Sequence, residues 1–287
     1  MNINKSDKYE IHRLFVAGML ITLLICSFSA CMQQSDNSAF REGRLKYGVF
    51  IGANPDQIDS LDGYEIVVID ATYYSKMDID KLHRQNTTVY SYLNIGSIED
   101  FRDFFSDNKH LILDDYENWP DEYWVNVSDI GWQNHIQKQA ALLLEKDVDG
   151  FFIDNIDVYY QYHTPDIYNG LATILNNLGQ FGKDIIINGG DVFVVEAIVE
   201  PDSPAVRITG VNQECVFTGI DFKNEQLVFQ STENTVYYQE YLEQCKEKGL
   251  DVYLLEYSDH EEVIPELVEY CNTHQFHHYV SSSIDLN

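Results

Sequence analysis

Carboxylates and phenols recur where apolar runs of this chain end. Asp70 closes Ile66-Val67-Val68-Ile69 and is followed by Tyr73 and Tyr74. Tyr92 and Asn94 lead into Gly96, Ser97 and Glu99, and Asp154-Asn155-Ile156-Asp157 closes Phe151-Phe152-Ile153. Asn188-Gly189-Gly190-Asp191, Asn212-Gln213-Glu214-Cys215 and Glu256-Tyr257-Ser258-Asp259 follow in the same manner. Acids distant in sequence but folded to one rim can work as a pair. A carboxylic acid protonates a leaving oxygen, while a carboxylate attacks an anomeric carbon or activates water. Aromatic faces suit the C–H surfaces of sugars, so Tyr73, Tyr92, Trp124, Tyr159 and Tyr257 are candidate platforms, with core packing as the competing use of each. Asn155 and Asn188 are candidate hydroxyl contacts, or simply partners of strand-end backbone.

Other chemistries lack their residues. No G-x-S-x-G elbow serves a serine nucleophile, and no glycine-rich phosphate turn follows an apolar run. His274, His277 and His278 cluster, but beyond the last expected helix, and read as a surface run rather than a ligand set. Metal-assisted hydrolysis is therefore disfavoured. With 18 Lys+Arg against 47 Asp+Glu, the net charge of −29 repels phosphates and excludes a duplex nucleic-acid partner. It permits a neutral or cationic ligand. A solvated acidic surface accounts for the same charge.

These acids need a scaffold. At 45% hydrophobic and 13% aromatic, 287 residues have ample surface to bury, which excludes a wholly disordered chain. Eight strand signals run at 47–51, 65–70, 88–94, 123–127, 150–154, 184–188, 205–213 and 251–257. Several are continuously apolar, as strands covered on both faces are. Helical patterns at 132–146, 165–178, 235–248 and 261–274 alternate with them. Thr164 stands as N-cap before Pro165, and Gly249 follows Lys248 as a stop. Strand and helix in alternation predict a parallel α/β sheet, and eight units in roughly 240 residues predict a single-domain (β/α)8 TIM barrel, with an open doubly wound sheet as its rival. In a barrel, functional side chains gather at the C-terminal strand ends, where these acids lie.

The start of the chain reads as an address. Lys5, Lys8 and Arg13 precede an apolar run from Leu14 to Ile25, too short for a membrane span of roughly 20 residues. Small residues before Cys31 resemble a bacterial lipobox, which implies a cleaved signal over 1–30 and a lipid on Cys31. A polar tether then covers 31–44, and the barrel 45–287. Cys215, Cys245 and Cys271 remain in the body, an odd number with no close spacing, so buried thiols are the expectation.

At the rim residues the likeness becomes specific. The segments Tyr92-Leu93-Asn94-Ile95-Gly96-Ser97-Ile98-Glu99-Asp100-Phe101-Arg102, Asp149-Gly150-Phe151-Phe152-Ile153-Asp154-Asn155-Ile156-Asp157 and Val211-Asn212-Gln213-Glu214-Cys215 resemble the signature of glycoside hydrolase family 114, the endo-α-1,4-polygalactosaminidases. The resemblance implies a (β/α)8 barrel without cofactor that cleaves within α-1,4-linked galactosamine or N-acetylgalactosamine polymers of biofilm matrix. Carried over by position, the catalytic pair is Asp154 and Glu214. By analogy with retaining α-galactosidases, Asp154 is the nucleophile and Glu214 the general acid/base, roughly 5–6 Å apart. That analogy uses the fourth and sixth strands, whereas the strand signals put the pair on the fifth and seventh. A partly deacetylated polymer carries ammonium groups, for which Asp70, Glu99, Asp157 and further Asp191 or Asp259 are candidate partners. The implied setting is the outer face of a bacterial membrane, held by the lipid, or secretion. The alternative is a polysaccharide-binding lipoprotein that kept the barrel and does not cut.

Overall fold

A computed structural model describes residues 45–199, 206–259 and 261–287. The expected signal, the tether and Cys31 lie outside them. Thirteen strands occur among the described residues: β1 (Leu45–Phe50), β2 (Tyr64–Ile69), β3 (Thr88–Asn94), β4 (Ser97–Glu99), β5 (Ile112–Asp115), β6 (Glu122–Val125), β7 (Gly150–Asp154), β8 (Asp184–Asn188), β9 (Gly210–Glu214), β10 (Thr218–Asp221), β11 (Gln226–Phe229), β12 (Asp251–Tyr257) and β13 (His277–Ser281). Eight of them form one all-parallel sheet in the order β1-β2-β3-β7-β8-β9-β12-β13. The sheet curls until its edges nearly meet. Gly52 N–H donates to Leu286 O at 3.1 Å, and the Phe50 and Tyr279 rings lie 5.2 Å apart. The expected TIM barrel is the fold.

Side-chain alternation explains why the staves read as unbroken apolar runs. Tyr47, Val49, Val68, Tyr90, Phe152, Ile186, Tyr253 and Leu255 fill the barrel interior. Their neighbours Val67, Ile69, Phe151, Ile153, Ile185 and Ile187 face the outer layer of helices. Both faces of each strand are thus dry, and burying one such side chain contributes roughly 1.5–3 kcal/mol.

The helices lie near their expected places, at Ile130–Glu145, Pro165–Gly179, Thr232–Glu247 and Ile264–His274, with a further one at Lys76–Arg84. Thr164 caps as expected, accepting from Ile167 N–H at 3.4 Å. Asp129 caps Ile130–Glu145 by accepting from Gly131 N–H at 2.7 Å, which starts that helix two residues before the apolar pattern does. None of the described helices is long and apolar enough to cross a membrane.

Two strand expectations are corrected. The segment 123–127 is not a stave: β6 pairs antiparallel with β4 and β5 in a separate three-stranded sheet. The eighth stave is instead β13, which contains His277 and His278, so those histidines are not a surface run. The His277 ring stacks on Tyr253 at 4.8 Å. The seventh signal shortens to β9. With the staves recounted, Asp154 ends the fourth and Glu214 the sixth.

Candidate active site

At the C-terminal ends of β7, β8 and β9, register sets polar side chains level. Asn94 pairs with Asp154, and Asn188 with Asn212. Phe152, Ile186 and Asn212 point inward, so by the two-residue period Asp154, Asn188 and Glu214 point inward above them. The residue after each then takes a left-handed turn: Asn155 at φ 62°, Gly189 at φ 64° and Cys215 at φ 58°. The chain thereby leaves each strand abruptly and the last side chain stands at the mouth. For Asn and Cys this geometry costs of order 1–2 kcal/mol each.

One amide joins the two acids. Asn188 Nδ2 donates to Asp154 Oδ1 at 2.9 Å and to Glu214 Oε1 at 2.8 Å. Two oxygens held by the same nitrogen cannot be farther apart than the sum of those distances. A buried relay fixes which way the amide faces. Tyr47 Oη donates to Asn212 Oδ1 at 3.0 Å, and Asn212 Nδ2 donates to Asn188 Oδ1 at 2.7 Å. Only the Asn188 NH2 is then left for the carboxylates. The Tyr92 hydroxyl favours the charged form of Asp154, and the Tyr257 hydroxyl that of Glu214.

Electrostatics favour a protonated acid here. Burial first, and then the Asp154 charge, push Glu214 up to about 7, against the donors Asn188 and Tyr257 that pull it down. Burial also raises Asp154, whose donors Asn188, Asn155 N–H and Tyr92 oppose it. Asp157 is pushed up to about 7 by burial and by Asp191 and Asp154. It sits under Gly190 N–H, its oxygens 3.3 and 3.2 Å away.

These groups line one cleft of about 400 Å³ together with Tyr92, Asn155, Asn188 and Tyr257. No lysine, arginine or histidine is among the described residues lining it. Six expected contacts lie elsewhere. Asp70 N-caps the turn after β2, accepting from Thr72 N–H at 3.0 Å, and Arg102 clamps Asp70 and Glu99 at 2.8 Å each. Both acids are tied to that guanidinium and line a small separate hollow. Glu99 Oε1 comes only within 3.5 Å of the Tyr92 hydroxyl, behind the cleft. Tyr73 is exposed on the Arg102 side, and Trp124 is buried against Tyr116 with ring centroids 4.0 Å apart. Tyr159 is buried as well, packed on His163. Asn94 is buried and donates to Glu122 Oε1 at 2.9 Å.

Glu122 is the acid the sequence concealed. It opens β6, and a residue opening a stave would point to the wrong end of the barrel. In its own small sheet it instead reaches the cleft. Asn155 Nδ2 donates to Oε1 at 2.7 Å, and Ser97 Oγ donates to the same oxygen. Burial raises it to about 7. Tyr116, Trp119, Gln213 and Tyr238 also line the cleft and carried no signal beyond their types.

A metal has little to hold it. Among the described residues, Asp80, His83 and Asp147 come together, but Lys76 Nζ already bonds Asp80 at 3.4 Å and Asp147 at 2.9 Å. Asp147 precedes β7, at the end of the barrel opposite the cleft. Cys245 and Cys271 are buried free thiols, as expected, whereas the free thiol of Cys215 is only half-buried.

Known proteins show the same likeness. Residues 30–167 match the model of glycoside-hydrolase family GH114. That stretch contains Asp154 and Glu122 and ends before Glu214. The glycoside hydrolase domain of PelA from Pseudomonas aeruginosa has a similar structure, with a TM-score of 0.70 at 18% identity over 85% of this chain and 96% of that one. Aspergillus fumigatus Ega3, solved in complex with galactosamine, gives 0.62 at 18% identity over 85% and 92%. TtGalA, an alpha-galactosidase from Thermus thermophilus, gives 0.54 at 9% identity over 84% and 58%. At such identities these three likenesses bear on the fold alone. No curated protein matches the chain.

Proposed function

This chain is a glycoside hydrolase similar to family GH114 over residues 30–167, and from that premise we propose that it cuts within α-1,4-linked galactosamine or N-acetylgalactosamine polymers by a retaining, two-carboxylate mechanism. The observation that carries this reading is the shared Asn188 amide, 2.9 Å from Asp154 and 2.8 Å from Glu214. Nearest oxygens so held fall short of the ~6.5–9.5 Å that an inverting pair leaves for water, and suit a retaining pair at ~5–5.5 Å.

The chemistry follows from the two environments. An Asp154 oxygen attacks the anomeric carbon as the glycosidic C–O bond breaks, giving a glycosyl ester. Glu214, protonated near neutrality, gives its proton to the departing oxygen. Glu214, now a carboxylate, takes a proton from water, and the resulting attack on the anomeric carbon releases Asp154. Asn188 donates to both acids and holds their spacing throughout. The rim recount supports this split of roles, because the pair ends the fourth and sixth staves, as the α-galactosidase analogy requires.

The cleft is rich in carboxylates, and none of its described lining residues is cationic, which favours a polymer bearing free ammonium groups, with Asp157 as a partner. Ega3 was solved with galactosamine bound, which accords with that choice. Export and a lipid on Cys31 belong to the same reading, supported by the basic start, the apolar run and the small residues before Cys31. Mass analysis of the protein from its native membrane tests it: an unmodified Cys31 rejects the anchor.

Asp154→Asn and Glu214→Gln test the enzyme reading on partly acetylated α-1,4-galactosaminan, with fragments read by mass spectrometry. Each variant should lose about 10²–10⁴ in kcat while still binding polymer. Undiminished cutting by either one removes that residue from the mechanism.

A further inference from the structure

Beyond the first cleft a second cavity of about 440 Å³ continues the same surface. It runs between the β10–β11 hairpin and the turn before β6. Glu214, Tyr257, Tyr116, Trp119 and Ile284 line both cavities, so the two meet at Glu214. Asp154, Asp157, Asp191 and Glu122 line only the first. Among its described lining residues, the second has no charged side chain apart from Glu214. Its apolar walls are Trp119, Phe222, Ile220, Val228 and Ile284, and the uncharged amides of Asn118 and Gln230 join them. Trp119 and Phe222 meet edge to face at 6.0 Å and each remains more than a third exposed.

This asymmetry gives the bound chain a direction. A nucleophile reaches the anomeric carbon of the unit that stays on the enzyme, and an acid sits at the oxygen of the unit that leaves. Asp154 belongs to the first cavity alone and Glu214 to both. The glycosyl unit therefore occupies the first cavity, and the departing chain the second.

We propose that the groove under the β10–β11 hairpin binds the leaving side of the polymer and prefers N-acetylated units there. The reasoning is chemical. An ammonium group moved against these walls loses hydration without gaining a counter-charge, since Glu214 must carry a proton in order to act. An acetamido methyl gains apolar contact with Val228, Ile220 and Ile284, and aromatic faces accept the sugar ring. The acid-rich first cavity has the opposite preference. The two halves of one cleft thus distinguish two states of the same monomer, and the enzyme cuts where a free amine is followed by an acetylated unit. This rests on the proposed roles of Asp154 and Glu214.

The test is a limited digest of randomly, partly N-acetylated α-1,4-galactosaminan by the intact protein, with product termini sequenced by tandem mass spectrometry. New non-reducing ends should be N-acetylated more often than the polymer average, and Phe222→Ala should abolish that enrichment. Phe222→Ala should also raise KM about tenfold, as loss of a packed aromatic wall does, with Phe222→Tyr restoring it. Termini acetylated at the polymer average overturn the proposal while leaving the enzyme reading intact. Saturation-transfer NMR on Asp154→Asn, with N-acetylgalactosamine oligomers as the probe, reads the groove without cleavage. Acetyl methyls should receive saturation that Phe222→Ala removes. Equal saturation in both proteins overturns the groove, whereas saturation without cleavage by the parent protein supports the groove and counts against the enzyme.

Discussion

At the scale of residues, the cleft is organised by an amide. Asn188 serves two acids, and its orientation is inherited from Asn212 and Tyr47. Asn212→Leu takes the partner from Asn188 Oδ1 and frees the amide to rotate. We expect kcat to fall about 10–100-fold with KM little changed, because the loss is one of positioning; steady-state kinetics on galactosaminan would check this. Glu214 is held up to about 7 by burial and by Asp154. In its proposed role as the acid it must carry a proton, so kcat/KM should fall as pH rises through about 7. Removing the Asp154 charge removes the larger of the two neighbouring charges that raise it, so Glu214 should titrate lower in Asp154→Asn. Carboxyl 13C chemical shifts against pH would report that, and an unmoved titration would mean the two acids do not feel each other. The proposed pair was singled out in sequence by the resemblance at the Asp-Asn-x-Asp and Asn-Gln-Glu-Cys segments. Asn188 was visible as a strand-end polar group, but its bridging role was not, because that depends on three strands meeting in register.

Elements carry these residues to the mouth, and the loops after the staves need their own supports. Glu256, fully buried on β12, accepts from the backbone N–H groups of Val216, Phe217 and Thr218 at 2.9–3.2 Å and from Thr218 Oγ1 at 2.6 Å. It thereby pins the turn that leads from Glu214 into the β10–β11 hairpin. Glu256→Ala would orphan three buried donors at roughly 1–3 kcal/mol each before relaxation. We expect a loss of about 3 kcal/mol or more in urea unfolding, while Glu256→Gln retains part of it. Gly96 shows the same economy of space: a Cβ there would lie 1.7 Å from the Asn155 carbonyl oxygen, so the turn after β3 can press against the turn after Asp154 only with glycine. The strand signals failed at two elements for identifiable reasons. β6 is aromatic and extended, as a stave is, yet its partners are β4 and β5. β13 is short, polar and histidine-bearing, yet it closes the barrel beside β1. Local pattern shows that a segment is extended and which faces are dry; it does not name the strand it pairs with.

For the whole molecule, the buried acids couple folding to pH. Glu122, Asp157 and Glu214 are each raised to about 7, from ordinary values near 4. The folded state then holds protons that the unfolded chain has released. Their contribution is complete below about pH 4 and lost as pH rises through about 7. The surface acids Asp78, Asp147 and Asp221 are lowered, so they act in the opposite sense below about pH 4. Between pH 5 and 8 we therefore expect Tm to fall, with Asp157→Asn flattening the slope; calorimetry across that range would show it. A Tm that rises over this range would mean the cleft acids ionise freely.

From its sequence alone the chain declared its class, its barrel, its acidity and the two acids proposed for catalysis, because two-sided burial and strand-end chemistry are written in neighbouring residues. Only the tertiary structure decided which segments are staves, which acids share the cleft and which are spent on Arg102. Asp70 and Glu99 look no different from Asp157 until the guanidinium between them is seen, and Glu122 looks misplaced until its own sheet is. The reason is that a carboxylate's role depends on what lies within a few ångströms of it, and those neighbours come from other strands.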